Sequence, residues 1–127
     1  MQDHYPGAKL TYQIIGLAMR VHRVLGPGLL ESIYEKCLCY ELGEAGIPFR
    51  RQAELPLRYG DIVLESGCIA DIIVDQQVIL ELKAVERVLP IHEAQLLTYL
   101  RLAQCRVGLL INFNTVSLTD GIKRRVI

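Results

Sequence analysis

The seven residues VILELKA, at positions 78–84, are the most informative stretch of this 127-residue chain. The run is mostly apolar and follows a polar turn at 75–77, a pattern typical of a buried β-strand. Side chains alternate along a strand, so Glu81 and Lys83 are expected on the same face. Charged groups are costly to bury and usually occur paired or bound to a metal. The stretch therefore predicts a central strand with a chemical role.

The rest of the chain predicts helices and strands on both sides of this strand. Gly67 interrupts an apolar run and divides two strands, and helix 91–103 has the length of a parallel crossover from the central strand to strand 107–112. The sequence predicts one α/β domain over residues 1–127, with a mixed central sheet flanked by helices. The predicted elements are helices 11–25, 29–45 and 91–103, strands 49–59, 62–64, 68–74, 78–84 and 107–112, and a short terminal element. Spacing in the second helix places Leu30, Ile33, Cys37 or Leu38, Leu42 and Ala45 inward.

Charge and composition restrict the classes of function. Fourteen basic and fourteen acidic residues give a net charge of zero, whereas proteins that rely on non-specific attraction to phosphates usually carry a basic excess. No apolar run approaches the roughly 18 residues of a membrane span, and residues 1–6 predict no secretory signal. The four cysteines form no Cys-x-x-Cys pair, which favours reduced thiols of a cytoplasmic protein over iron–sulfur or zinc binding.

Asp71 precedes the central strand, and the loop between the two strands decides whether it meets Glu81. A two-residue loop would place Asp71 opposite Leu82, with its side chain directed away from Glu81. A three-residue loop would pair Val74 with Val78 and place Asp71 opposite Glu81, with Cβ atoms about 5 Å apart. A shared site therefore requires the three-residue loop or a bulge.

In that register two carboxylates and one ammonium meet at one point of the sheet. A divalent cation relieves the repulsion between two carboxylates, and Mg²⁺ is commonly held by one or two carboxylates with waters and substrate phosphate. Such an ion lowers the pKa of a bound water and neutralises charge on a phosphate, and Lys83 would hold the attacking water or stabilise the pentavalent phosphate. The alternative is an interstrand salt bridge between Lys83 and Asp71 or Glu81.

Two helices carry further polar residues. His92, Gln95 and Tyr99 are spaced three and four apart, so they form one polar stripe that would face the acids. In the alternative interpretation, Tyr99 belongs to the core and His92 lies on the surface at the start of the helix. Glu31 lies in the first turn of helix 29–45, where spacing alone favours a carboxylate that stabilises the helix dipole.

Four motifs together resemble a known family. Asp71 followed by Glu81-Leu82-Lys83 resembles the PD-(D/E)xK nuclease superfamily, and Gln95 followed by Tyr99 is similar to the Gln-x-x-x-Tyr element of its RecB-like branch. The stretch GLLESIY, residues 28–34, fits the motif that names the GxxExxY family of small bacterial and archaeal proteins. Stretches 80–86, 92–100 and 108–113 are also similar to that family, so the resemblance covers about residues 14–125.

The resemblance implies a restriction-endonuclease-like αβββαβ core in which Asp71 and Glu81 hold Mg²⁺ or Mn²⁺, together with the Leu82 carbonyl. Relatives often carry an arginine two residues before the aspartate, and this chain has Ile69 there, which puts part of the substrate contact in question. The remaining implied site residues are the additional metal-binding acid Glu31, the catalytic Lys83, the lining residues Gln95 and Tyr99, and the supporting or substrate-facing Tyr34.

These observations predict a cytoplasmic, Mg²⁺-dependent, nuclease-like hydrolase of phosphodiester bonds, with nucleic acid as its partner and no membrane association. Zero net charge and small size favour an alternative, a non-catalytic binding or assembly module that retains the nuclease fold. A metal-dependent enzyme acting on a small phosphorylated substrate is a third hypothesis. A symmetric homodimer would help a domain of this size to grip a duplex.

Overall fold

The computed structural model describes residues 7–127, and residues 1–6, on which the prediction of no secretory signal rests, lie outside the described part. No helix within residues 7–127 is both long and apolar enough to cross a membrane. In chain order the elements are α1 (Ala8–Leu25), α2 (Glu31–Glu44), β1 (Phe49–Tyr59), β2 (Ile62–Val74), β3 (Val78–Lys83), α3 (Pro90–Ala103), β4 (Val107–Asn112), a 3₁₀ turn (Leu118–Gly121) and β5 (Ile122–Val126).

The five strands form one mixed sheet in the order β1-β2-β3-β4-β5. The pair β3 and β4 is parallel, and the other neighbouring pairs are antiparallel. Helix α3 connects the two parallel strands, so the predicted crossover is confirmed. Helices α1 and α2 cover one face of the sheet and α3 covers the other. The fold is therefore the mixed α/β arrangement of a restriction-endonuclease-like domain, as expected from the sequence.

Strand β3 lies in the middle of the core, and its side chains alternate as predicted. Leu80 and Leu82 pack beneath α1 and α2, whereas Ile79 packs beneath α3. The parallel partner β4 is buried along its whole length. A Cβ added at Gly108 would lie 2.8 Å from Leu96 Cδ1, so glycine there permits α3 to lie close to the sheet. These contacts hold the strand that carries Glu81 in a rigid setting.

The predicted inward face of α2 is wrong at both ends, and at its end Ala45 is exposed and follows the last residue of the helix. Leu30 is 71% exposed and Ile33 is 38% exposed, whereas Tyr34, Leu38 and Leu42 are fully buried. The helix begins only at Glu31, and Leu30 precedes it with extended backbone, so helical spacing does not apply to Leu30. The buried face follows the large ring of Tyr34 at intervals of four residues.

The two strands predicted on either side of Gly67 form one strand, β2. A shift in register between Leu55 and Leu57 of β1 absorbs the extra residues of β2 at this point. A Cβ added at Gly67 would lie 2.9 Å from Leu57 Cβ, so glycine permits close approach at a bulge rather than ending the strand. The terminal element left without a pattern in the sequence is β5, which pairs with β4.

Candidate active site

The hairpin between β2 and β3 brings Asp71 and Glu81 together. Val74 pairs with Val78, and the pairing continues to Ile72 opposite Leu80. The three-residue loop required by the sequence argument is therefore confirmed. Its first two residues have positive φ values of 49° and 55°, which bend the chain back tightly. Extended by one residue, the same register sets Asp71 opposite Glu81.

Both carboxylates bond to backbone of the facing strand where the ladder ends. Glu81 Oε2 accepts a hydrogen bond of 2.8 Å from the Asp71 N–H, and Asp71 Oδ2 accepts one of 2.8 Å from the Leu82 N–H. Each carboxylate uses one oxygen in this way. The other oxygen, Asp71 Oδ1 or Glu81 Oε1, forms no hydrogen bond with residues 7–127. We call the point beside Asp71 and Glu81, where the ladder between β2 and β3 ends, the strand opening. It presents two carboxylate oxygens to a ligand.

Burial makes the charged form of both acids costly. Glu81 is 4% exposed, and burial, reinforced by the charge of Asp71, raises its pKa from 4.5 to about 8. Burial also raises the pKa of Asp71 from 3.8 to about 6, although the hydrogen bond from the Leu82 N–H opposes the rise. The charges of Glu31 and Glu35 add to the rise at Asp71. The site therefore lacks enough positive charge to balance its acids.

Lys83 contributes attraction but no direct ion pair. Its charge lowers the pKa of Asp71 and of Glu81, which places it close to both. Among residues 7–127, however, no salt bridge involves Lys83. The alternative interpretation of these residues as an interstrand salt bridge is therefore wrong. The ammonium is left available for a ligand next to the acids.

The donor set fits a hard divalent cation. Two carboxylate oxygens and neighbouring backbone, completed by water, are the ligands that Mg²⁺ prefers. Within residues 7–127, no three His, Cys, Asp or Glu side chains are grouped closely enough to hold an ion by themselves. Glu31 therefore does not complete a three-acid group with Asp71 and Glu81 in this conformation, and its role as a metal ligand stays a prediction, as does that of the Leu82 carbonyl.

A cleft of about 490 Å³ lies between the start of α2 and Asp71, and this volume is within the range of ligand-binding clefts. Glu31, the first residue of α2, is exposed at its rim, and its charge raises the pKa of Asp71 and of Glu81. No side chain caps the start of α2. The residues lining the cleft are Leu30, Glu31, Ser32, Glu35, Arg51, Gln52 and Asp71.

Glu35 is a buried acid of this cleft that the sequence analysis missed. Arg51 Nε donates to its Oε2 at 2.5 Å, and Gln52 Nε2 donates to its Oε1 at 2.9 Å. Gln52 has a left-handed backbone with φ of 50°, so two consecutive strand residues both bond to the same carboxylate. The available signal was the four-residue spacing of Glu31 and Glu35, which places them on one side of a helix.

The polar stripe of α3 has separate roles along its length. Tyr99 is buried beneath the sheet, and its pKa is raised by burial and then by the charges of Glu81, Cys68 and Asp71, so it lies close to the acids. Gln95 is exposed, and its side chain forms no hydrogen bond with residues 7–127. His92 Nδ1 accepts a hydrogen bond of 3.0 Å from the Leu89 N–H, so it caps the start of α3, in line with the alternative interpretation of this residue.

Tyr34 supports the loop before α2 and does not face a substrate. Its hydroxyl donates to the Gly26 carbonyl at 2.6 Å and accepts from the Leu29 N–H at 3.1 Å. Its ring stacks on Phe113, with centroids 4.5 Å apart. The side chain is fully buried, so the expectation of a substrate-facing tyrosine is wrong, and that of a supporting one agrees with these contacts.

Comparison with known proteins gives one family. A family model described as the PD-(D/E)XK nuclease superfamily matches residues 8–125, which include both acids, Lys83 and all of α3. Neither the curated proteins nor the solved structures compared with the chain include a match. The match does not test the narrower GxxExxY assignment, which stays a prediction.

Proposed function

Because the chain belongs to the PD-(D/E)XK nuclease superfamily, we propose that it is a Mg²⁺- or Mn²⁺-dependent hydrolase that cleaves phosphodiester bonds in nucleic acid. The observation that carries the proposal is the strand opening at Asp71 and Glu81. Each acid there has one carboxylate oxygen without a hydrogen-bond partner among residues 7–127, and burial disfavours the charge of both. A bound divalent cation would compensate that charge.

The proposed roles follow from where each residue lies. Asp71 and Glu81 would hold the cation, and the Leu82 carbonyl and Glu31 would be further ligands. A divalent cation bound there would lower the pKa of a bound water and would neutralise charge on the phosphate. Lys83, which makes no ion pair among residues 7–127, donates hydrogen bonds to the attacking water or to the phosphate oxygens.

Two residues of α3 complete the proposed site. Tyr99 lies beside the acids, where its hydroxyl orients a carboxylate or a water. Gln95 is exposed on the same helix and can both donate and accept hydrogen bonds, which suits contact with a substrate. Both would act by positioning. The amide of Gln95 does not titrate, and burial raises the pKa of Tyr99 above its usual value of 10, so neither side chain is suited to move a proton at the reacting phosphate near neutral pH.

We further propose a cytoplasmic location, a homodimer and membership of the GxxExxY family. All four cysteines are free thiols, which supports a reducing compartment such as the cytoplasm. A homodimer would present two sites to the two strands of a duplex, and light scattering of the purified protein would measure it. Membership of the GxxExxY family is supported by GLLESIY at residues 28–34.

A non-catalytic binding module is the second candidate. The net charge of zero favours it, because non-specific binding to a phosphate backbone usually needs a basic excess. The tip of the β1–β2 hairpin also exposes Tyr59 and Ile62, which suits contact with a partner protein. In that case the acids would bind a cation without hydrolysis.

A cleavage assay separates the two candidates. Plasmid DNA, single-stranded DNA and RNA are incubated with the protein and Mg²⁺ or Mn²⁺, alongside the Lys83→Ala variant and a chelator control. We expect cleavage of at least one substrate, stopped by the chelator and reduced about a hundredfold or more in Lys83→Ala. Cation binding without cleavage of any of the three would favour the binding module. Cleavage that is equal in Lys83→Ala would contradict the proposed mechanism.

A further inference from the structure

The cleft beside Asp71 is lined, among residues 7–127, by one basic side chain, that of Arg51. We propose that Arg51 binds a backbone phosphate of the nucleic acid strand and thereby positions the strand for hydrolysis at the acids. This inference rests on the proposed function, which supplies the strand, and adds a substrate-binding residue outside the acidic motif. In the sequence, Arg50 and Arg51 form one of two local basic patches that could contact nucleic acid, the other being 123–125, but such patches are more often solvated surface and nothing there links Arg51 to the acids.

The guanidinium of Arg51 has one edge fixed and one edge open. Its Nε donates to Glu35 Oε2 at 2.5 Å, whereas Nη1 and Nη2 form no hydrogen bond with residues 7–127. The Arg51 side chain is 44% exposed and that of Glu35 only 7%. The terminal nitrogens therefore remain available at the cleft. Two guanidinium N–H groups matched to two phosphate oxygens form a strong, geometrically specific contact.

Glu35 serves as the anchor of this arrangement rather than as a metal ligand. Arg51 occupies one of its carboxylate oxygens and Gln52 occupies the other. The left-handed backbone of Gln52 lets both donors reach the same acid from one strand. With its direction fixed before binding, the guanidinium loses less side-chain freedom when phosphate arrives, which favours affinity.

The charged groups that line the cleft differ between its two ends, and this difference affects how a phosphate could bind there. Glu31 and Asp71 line the same cleft and repel an anion, while the charge of Glu35 is balanced by Arg51. A divalent cation at the acids would reverse the repulsion at one end. At the other end the terminal nitrogens of Arg51, whose charge Glu35 offsets, would donate hydrogen bonds to a phosphate. A nucleic acid strand can place one phosphate at the cation and a neighbouring phosphate at Arg51.

The test measures strand binding and does not depend on cleavage. An end-labelled single-stranded DNA is titrated, with Mg²⁺ at several salt concentrations, into proteins that carry Lys83→Ala to prevent hydrolysis. Replacing Arg51 alone would leave the buried Glu35 without its partner, which is strongly destabilising. The decisive comparison is therefore Glu35→Gln against Glu35→Gln with Arg51→Gln, because both lack the buried acid. Arg58→Gln, on the same strand but outside the cleft, is the matched control for loss of one exposed charge.

We expect the double variant to bind about tenfold or more weakly than Glu35→Gln alone, since hydrogen bonds to charged groups are lost. The slope of log affinity against log salt should also fall in magnitude by about one. Arg58→Gln should leave both quantities near those of the parent. A mononucleotide should compete poorly with the strand, because it carries one phosphate.

Equal affinity and equal salt slope in the two Glu35→Gln proteins would overturn the inference, as would the absence of strand binding in all of them. A mononucleotide that competes as well as the strand would overturn the assignment to nucleic acid. The proposed function fails on a different result, the absence of metal-dependent cleavage by the wild-type protein. Weaker binding on loss of Arg51 without any cleavage would therefore keep this inference and reject hydrolysis.

Discussion

Replacing Glu81 by glutamine should make the metal-free protein more stable at alkaline pH. The amide oxygen of the introduced glutamine can still accept the hydrogen bond that Asp71 N–H gives to Glu81 Oε2, so the change removes a charge and keeps the contact. Burial raises the pKa of Glu81 from 4.5 to about 8, so the folded state holds this proton more tightly than the unfolded state. The stabilising contribution of the Glu81 proton to the free energy of unfolding is therefore fully present below the unfolded-state pKa of 4.5. It is lost as pH rises from there through the folded-state pKa of about 8.

The magnitude follows from the pKa change at this residue. Each pKa unit corresponds to about 1.4 kcal/mol, so ionisation of Glu81 costs the folded protein up to about 5 kcal/mol. Asp71 titrates in both proteins, with a folded pKa of about 6, so the difference due to Glu81 is clearest above that pH. A cost of this size is comparable with the total stability of many small domains.

Urea denaturation in the presence of a chelator measures this effect. Free energies of unfolding are compared for wild type and Glu81→Gln across roughly pH 6 to pH 9 at constant ionic strength. We expect the wild-type value to fall by about 3 kcal/mol over this range because of Glu81, since the rest of its cost arises below pH 6, while the variant changes much less, so that the variant becomes the more stable protein. Parallel curves for the two proteins would refute the claim that Glu81 is buried without a balancing charge.

Three further substitutions separate stability from activity. Tyr34→Phe removes the hydroxyl that accepts from the Leu29 N–H, and we expect urea denaturation to show a loss of about 1–2 kcal/mol, with reduced cleavage because the loop before α2 loosens. Gly108→Ala places a methyl group 2.8 Å from Leu96 Cδ1, and the midpoint of thermal unfolding should fall by an amount equivalent to about 1–3 kcal/mol. Gln95→Ala removes an exposed side chain, so stability should stay within about 0.5 kcal/mol while the cleavage rate falls, and an unchanged rate would exclude Gln95 from the site.

Local patterns were sufficient to predict the strands and the hairpin that carry the acids. The apolar runs at 78–84 and 107–112 are short, bounded and nearly continuous, which is what a strand buried on both faces requires. The position of Asp71 opposite Glu81 needed one further condition, the three-residue loop. The sequence left two registers of the hairpin open, and the pairing of Val74 with Val78 shows that the loop has three residues.

The remaining features depend on tertiary contacts that leave little local trace. Leu30 has the spacing of a buried helical residue, but the helix starts after it, and the buried Tyr34 of the first turn hydrogen-bonds to the loop before the helix. The contact between Arg51 and Glu35 depends on the left-handed backbone of Gln52. Glutamine carries no particular preference for that conformation, so a sequence pattern does not indicate it.

Calorimetric titration of Mg²⁺ and Mn²⁺ tests the central claim most directly, namely that Asp71 and Glu81 together bind a divalent cation. Asp71→Asn and Glu81→Gln keep the size of each side chain and remove one charge, and Arg58→Gln is the control outside the site. We predict binding to the wild type and to Arg58→Gln, with proton release near neutral pH because the acids must ionise, and loss of binding in both acid variants. Absence of binding to the wild type at millimolar metal, or undiminished binding in both acid variants, would contradict it.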